Sequence, residues 1–206
     1  MDPVTSDVKA PGSAYRRAQA EATRVRIAES ARRLFARDGY GSTSMDAIAK
    51  EAGVADRTVY ATFGAKREIL NLICERWLEQ AGARELAAAI LAEPDPRVRL
   101  RGAARWLTTL YSTDFDVVRI LDAAIDEDAE TQALLRGKLR GRNRVMDALI
   151  ASLGDALVIA PADAQALFRA YAAAGVYGEL VAASGWPPER FEAWLAATLE
   201  GQLLGG

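Results

Sequence analysis

The sequence predicts an all-α protein of about nine helices, and three observations predict it. Apolar residues recur at helical spacing almost everywhere from Ala20 onward, no stretch sustains a period-two alternation, and breakers cut the chain at intervals that suit helices. Those breakers are Gly39, Gly53, Gly64, Gly82, the pair Pro94 and Pro96, the Thr113-Asp114 step, the acidic stretch from Asp126 to Glu130, Pro161, and the corner from Gly185 to Pro188.

Taken in order, residues 1–19 hold Pro3, Pro11 and Gly12 among polar neighbours and are expected to form a disordered arm. The first helix sets Ile27, Ala31, Leu34 and Phe35 on one stripe and stops at Gly39. A second helix begins after Ser44, a good N-cap, and places Met45, Ile48, Ala49 and Ala52 on one face before Gly53. A short third helix runs from Asp56 to Phe63, with Val59 and Phe63 four apart. A fourth restarts near Ala65 and buries Ile69, Leu70, Ile73 and Trp77. Two small-residue-rich helices, Ala162 to Ser184 and Pro188 to Leu204, close the chain. The expected division is an arm over 1–19, a compact head over 20–66 and a helical body over 67–206.

Composition narrows the function classes. Half of the residues are apolar, enough for a core, while no apolar run approaches the roughly 18 residues that span a bilayer. Cys74 is the single cysteine, and the polar start lacks the apolar stretch of a secretion signal, so a cytoplasmic protein without membrane attachment is expected. The chain has no histidine, which removes the commonest general base and transition-metal ligand; no catalytic residue, metal or cofactor is assigned. Charge is uneven: residues 1–67 carry 12 Lys/Arg against 8 Asp/Glu, and residues 68–206 carry 14 against 20. A basic head on an acidic body suits a protein that meets a polyanion at one end.

The second helix, the Gly53 turn and the third helix have the proportions of a helix-turn-helix, whose second helix offers its polar face to a major groove. The stretch from Phe35 through Gly39, Tyr40, Thr43, Ser44, Ile48, Ala49, Ala52, Gly53 and Val54, continued by Arg57, Thr58, Val59, Tyr60, Phe63 and Lys66, closely resembles the tetracycline-repressor-like (TetR/AcrR) regulators. The likeness covers about 55 residues, roughly Ala22 to Trp77; elsewhere only length and helical character agree.

The resemblance implies a homodimer that binds a double-stranded, palindromic DNA operator and is released by a small-molecule effector. It implies a DNA-binding set of Thr43, Ser44, Arg57, Thr58, Tyr60, Thr62 and Lys66, with Tyr60 and Lys66 on phosphates and Arg57 and Thr58 at base edges or phosphates. Two positions depart from the family's pattern. Ala55 replaces the usual serine and loses an N-cap worth about 1 kcal/mol, and Thr62 replaces a larger ring. Base reading is then expected to lean on Arg57, with Arg16, Arg17, Arg24 and Arg26 adding affinity.

In the body, the resemblance implies an effector pocket, for which Cys74, Trp77, Trp106, Leu110, Tyr111, Phe115 and Met146 are the candidates, against ordinary core as the alternative. Asp114, Asp116 and Asp122 either balance a cationic ligand or are plain exposed acids. The family's four-helix dimer bundle implies an interface at Phe168, Tyr171, Gly175, Gly178, Phe191 and Trp194, although burial within one chain is equally open. Arg32 and Arg33 are expected on a solvated face. The run Arg136, Lys138, Arg140, Arg142 and Arg144 is expected to pair with the acids Asp126, Glu127, Asp128 and Glu130. Two rival readings remain: a constitutive or partner-gated regulator with no inducer, and a helical enzyme or adaptor with a vestigial head.

Overall fold

A computed structural model describes residues 11–205. Among them the chain forms eleven α-helices and no strand. They are α1 (Pro11–Asp38), α2 (Met45–Ala52), α3 (Asp56–Phe63), α4 (Lys66–Gln80), α5 (Ala83–Leu91), α6 (Pro96–Thr113), α7 (Phe115–Ala124), α8 (Ala129–Ala151), α9 (Pro161–Tyr171), α10 (Ala174–Tyr177) and α11 (Pro188–Leu203). A 3₁₀ turn covers Gly154–Ala156, and a π-helical turn, Gly178–Ala183, continues α10.

The expected boundaries hold where a side chain or a special backbone angle enforces them. Ser44 accepts the Ala47 amide at 3.1 Å and opens α2, and Gly53 closes it at φ 63°, a left-handed angle that costs glycine little. Asp95 accepts the amides of Arg97 and Val98 while Pro96 occupies the first turn of α6, where its missing N–H is harmless. Asp128 caps α8 in the same manner, through the amides of Glu130 and Thr131.

Two expectations need correction. Residues 1–10 of the expected arm lie outside the described residues, but 11–19 are helical and form the start of α1. The count is eleven, not about nine, partly because the expected helix from Ala162 to Ser184 is broken. Ala173 takes an extended angle (ψ 133°), and the Tyr111 hydroxyl donates to the carbonyl of Ala172 at 2.5 Å. That bond satisfies a backbone acceptor which the break would otherwise leave buried and unpaired. The break at Ala173 thus has a tertiary partner 61 residues away in sequence, with no glycine or proline at the break itself.

One hydrophobic core runs from Ile27 in α1 to Leu204 after α11. Helix α6 is central to the body, packing on α4, α5, α7, α8 and α11, and α8 packs on α9. Helix α1 bridges the two parts, since it packs on α2 of the head and on α4 and α7 of the body.

Candidate nucleic-acid interface and body sites

The recognition face is assembled from what its helices bury. Met45, Ile48, Ala49 and Ala52 of α2, and Val59 and Phe63 of α3, all face inward, which fixes the crossing of the two helices. Asp56, Arg57, Tyr60 and Ala61 are thereby turned outward on α3. Tyr60 is 50% exposed, so its ring is presented to solvent and does not cap the core. Arg57 is likewise exposed, and Ser44 lies exposed at the start of α2. Ala55 supplies no capping bond to α3, as its methyl side chain requires. Arg24 of α1 lies over the Phe63 ring at 5.4 Å, which brings a basic turn of α1 beside the end of α3.

Three members of the expected DNA set are employed internally. The Lys66 ammonium donates to the carbonyls of Tyr40 (2.6 Å), Thr43 (3.0 Å) and Gly41 (3.4 Å), and lies 4.2 Å from the centre of the Tyr40 ring. An ammonium has three donors, and all three go to the α1–α2 corner. Burial lowers the Lys66 pKa, with Glu127 and Asp128 pulling the other way. Thr43 is buried and donates to the Gly39 carbonyl at 2.8 Å. Thr62 donates to the Thr58 carbonyl at 2.6 Å. The outward set is therefore Ser44, Arg57 and Tyr60, with Thr58 half-buried beside them.

The sequence reading missed how the head is fastened to the body. Arg32 was expected on a solvated face, yet its guanidinium reaches Asp116 at 2.6 and 2.7 Å and Asp114 at 2.5 Å. A second fastening joins the Tyr40 hydroxyl to Thr131 at 3.2 Å, and Thr131 in turn donates to Asp128 at 2.6 Å. Arg67 adds an ion pair with Glu130. The excess of carboxylates after Leu110 was visible in the sequence, but its partner 80 residues earlier was not. Neither Asp114 nor Asp116 is a plain exposed acid, because both hold Arg32.

The basic run of α8 also departs from expectation. Lys138 pairs with Glu75 of α4 at 3.2 Å, and Arg142 turns inward to the Tyr111 hydroxyl at 3.1 Å. Only Arg136, Arg140 and Arg144 of the run are exposed. The acids meant to pair with the run have other roles, Asp128 as a helix cap and Glu130 as the partner of Arg67.

All but one of the effector candidates are core. Cys74, Trp77, Trp106, Leu110, Tyr111 and Met146 are buried, and Phe115 is half-buried. The Trp77 indole donates to the Leu110 carbonyl and the Trp106 indole to the Ala83 carbonyl, both at 2.8 Å. These two rings therefore brace α4 against α6 and α6 against α5. Burial pushes the Cys74 thiol up to about 11. Tyr111, Phe115 and Tyr177 pack ring on ring with centroids 4.9–6.0 Å apart, and Phe191 joins through Tyr177 at 4.9 Å. Tyr177, which the sequence reading passed over, is the centre of this cluster. A larger open groove of about 570 Å³ lies elsewhere, along Glu29, Arg32, Arg33, Ala36, Arg37 and Asp116.

The expected dimer residues divide in two. Phe168 and Phe191 are fully buried in their own chain, and Gly178 abuts Phe115, where an added Cβ would sit 3.4 Å from the ring. Those three serve the chain's own core. Tyr171 and Trp194 are half-buried in an edge-to-face pair at 6.0 Å, and Gly175 is exposed. The outward residues of the last helices are mostly small: Ala162, Ala166 and Ala170 on α9, and Ala193, Ala197 and Gly201 on α11.

Residues 27–73, the span containing α2, α3 and the buried half of α4, match the family model described as bacterial regulatory proteins, tetR family. The likeness to the TetR family by sequence therefore lies in the first part of the chain, over the helix-turn-helix. The HTH-type transcriptional regulator UidR of Escherichia coli K12 is 36% identical over 66 residues, which is 32% of this chain. That match spans about a third (34%) of UidR. Solved structures extend the fold likeness to the body. The transcriptional regulator FadR of Bacillus subtilis, in complex with stearoyl-CoA, has a TM-score of 0.68 at 18% identity, covering 85% of this chain and 96% of that one. A Saccharomonospora viridis protein in complex with choline has a TM-score of 0.69 at 20% identity, covering 89% and 98%. The matched segment contains the helix-turn-helix, and no helix among the described residues is long and apolar enough to cross a membrane.

Proposed function

We propose that this protein is a cytoplasmic, homodimeric DNA-binding transcriptional regulator, a repressor released from a palindromic operator by a small molecule. The observation that carries the reading is the outward face of α3. Arg57 and Tyr60 are exposed there, on a helix whose other face is locked into the core by Val59 and Phe63. An arginine fork matches the acceptor pair of guanine, and a phenol reaches a phosphate oxygen. Ser44 adds a hydroxyl at the N-terminus of α2, where the helix dipole favours an anion.

The small-residue faces of α9 and α11 support a two-fold interface, because alanine and glycine let helices approach closely over a flat surface. Such a dimer sets two recognition helices about 34–36 Å apart, one turn of duplex. The head over 20–66 reads DNA, and the body over 67–206 dimerises and senses. Stearoyl-CoA in FadR and choline in the S. viridis protein support an effector held by the body. A partner-gated regulator is the second reading. It is favoured by an interior whose tryptophans already have internal acceptors.

The test is fluorescence anisotropy on duplex DNA from upstream of the protein's own gene, at two salt concentrations. Salt-sensitive, specific binding is expected, weakened about 10- to 100-fold by Arg57→Ala. Binding that is absent, or indifferent to Arg57→Ala, overturns the DNA reading. A small-molecule thermal-shift screen that yields nothing would favour the partner-gated form.

A further inference from the structure

Among the described residues Arg76, Arg99 and Arg142 each have a buried Nε–H without an acceptor, and of the three Arg142 is the one that also donates to a fully buried side chain. Arg142 of α8 turns inward, and its Nη1 donates to the hydroxyl of Tyr111, a fully buried residue. Its Nη2 reaches only the neighbouring Asn143 oxygen, at 3.4 Å. Its Nε–H is shut off from solvent and finds no acceptor. A guanidinium carries five donors in a rigid fork, so this one is under-used. Among the described residues no carboxylate forms an ion pair with it. Asp122 exerts a pull on it from a distance, while Asp114 and Asp116 are committed to Arg32. Taking a cation out of water without a counter-charge is costly, and the cost is recovered when an anion arrives.

What surrounds Arg142 indicates the rest of the ligand. The Tyr111 ring opens a cluster of aromatics with Phe115 and Tyr177, in tilted and edge-to-face contact, an apolar lining next to a cationic fork. Beside Phe115 the backbone forms the π turn at Gly178, a distortion that recurs at functional sites. Of the acids that would have suited a cationic ligand, Asp114 and Asp116 are spent on Arg32, and the third, Asp122, already faces the positive charge of Arg142, so the unfilled donors of that fork are what the site offers a ligand.

We propose that the effector is an amphiphile with an anionic oxygen head, a carboxylate or a phosphate monoester, which takes the Arg142 fork while its apolar part lies against Phe115 and Tyr177. This inference rests on the ligand-responsive reading of the body. It also supplies a route for the signal. The Tyr111 hydroxyl that receives Arg142 is the one that holds the Ala172 carbonyl at the break between α9 and α10. An anion that draws Arg142 away alters the bonding at that break, next to the small-residue face of α9. Differential binding to the two arrangements then shifts their populations.

The experiment is calorimetric titration of the full chain with four ten-carbon probes: decanoate, decyl phosphate, decanol and decyltrimethylammonium. At least one anion is expected to bind about tenfold or more tightly than decanol, with the cation weakest; which anion does so tells carboxylate from phosphate. Arg142→Gln should bring the anions level with decanol and leave decanol itself unchanged, and Arg142→Lys should restore part of the preference. Should Arg142→Gln fail to fold, the headgroup order in the unaltered chain decides. Decanol equal to the anions, a cation bound tightest, an unchanged preference in Arg142→Gln, or no binding at all overturns the inference. Operator release caused only by a neutral or cationic compound overturns it and leaves the ligand-responsive reading standing. Anion binding with no change in DNA affinity does the reverse.

Discussion

Lys66 and Arg57 are both basic residues of the helix-turn-helix region, and the structure places them oppositely, Lys66 turned into the α1–α2 corner and Arg57 exposed on α3. Three backbone carbonyls consume the Lys66 ammonium, so Lys66→Gln should act on the fold first. It leaves buried acceptors short of donors and should cost about 1–3 kcal/mol, read as a lower denaturant midpoint. The slope of DNA affinity against salt should stay as in the unaltered protein, because no phosphate contact is lost. A slope lowered by about one would restore Lys66 to the phosphate backbone. Cys74 makes a second residue-scale case. Burial holds its thiol near 11 and closes it from solvent, so native protein at pH 8 should react with a thiol reagent only on the timescale of unfolding. Stoichiometric labelling within seconds would mean that the body opens around α4.

Among the elements, α3 is the one whose sequence leaves obvious room for improvement. Its N-cap is Ala55, which has no side-chain acceptor, although the backbone there is already extended (φ −69°, ψ 145°) as a cap requires. Ala55→Ser should therefore stabilise the head by about 0.5–1 kcal/mol, seen as a higher melting temperature, and keep the operator sequence preference. No gain would imply that the serine hydroxyl turns elsewhere. This element was fully legible in the sequence, because its period, its turn glycine and its buried Val59 and Phe63 are all local signals. Arg57 and Tyr60 were singled out by the family resemblance, and the structure leaves both exposed. The end of α9 was not legible: no glycine or proline stands between Leu167 and Ala174, and the carbonyl freed at the break is taken by Tyr111 arriving from α6. The same limit explains Lys66, Arg32 and Arg142. Each long cationic side chain chose a partner set by packing, 23 to 84 positions away, which periodicity cannot express.

For the molecule as a whole, the proposed effector response requires a signal to cross from body to head, and two polar fastenings lie on that crossing: Arg32 with Asp114 and Asp116, and Tyr40 with Thr131 and Asp128. Both contain a carboxylate held below its ordinary pKa of 3.8. For Asp116, burial pushes the carboxyl up, but the Arg32 bonds outweigh it; for Asp128, the Thr131 hydroxyl and amide hold it down. A carboxylate whose folded pKa is depressed contributes stability that is present above its unfolded pKa. That contribution is lost as pH falls through the lower, folded value. Both fastenings should then hold at neutral pH and loosen below about pH 4. In Arg32→Gln the Arg32 charge no longer offsets burial, and only the backbone amides of Asp116 and Val117 still lower the carboxyl, so its folded pKa rises and its contribution shrinks. The measurement is unfolding free energy from urea melts between pH 6 and pH 3, compared across the two proteins. The unaltered chain should lose stability more steeply as the pH is lowered, and the gap between the curves should narrow towards pH 3. Parallel curves would mean that the Arg32 bonds do not persist in solution, and the coupling of body to head would then have to run through the apolar contacts of α1 with α4 and α7 alone.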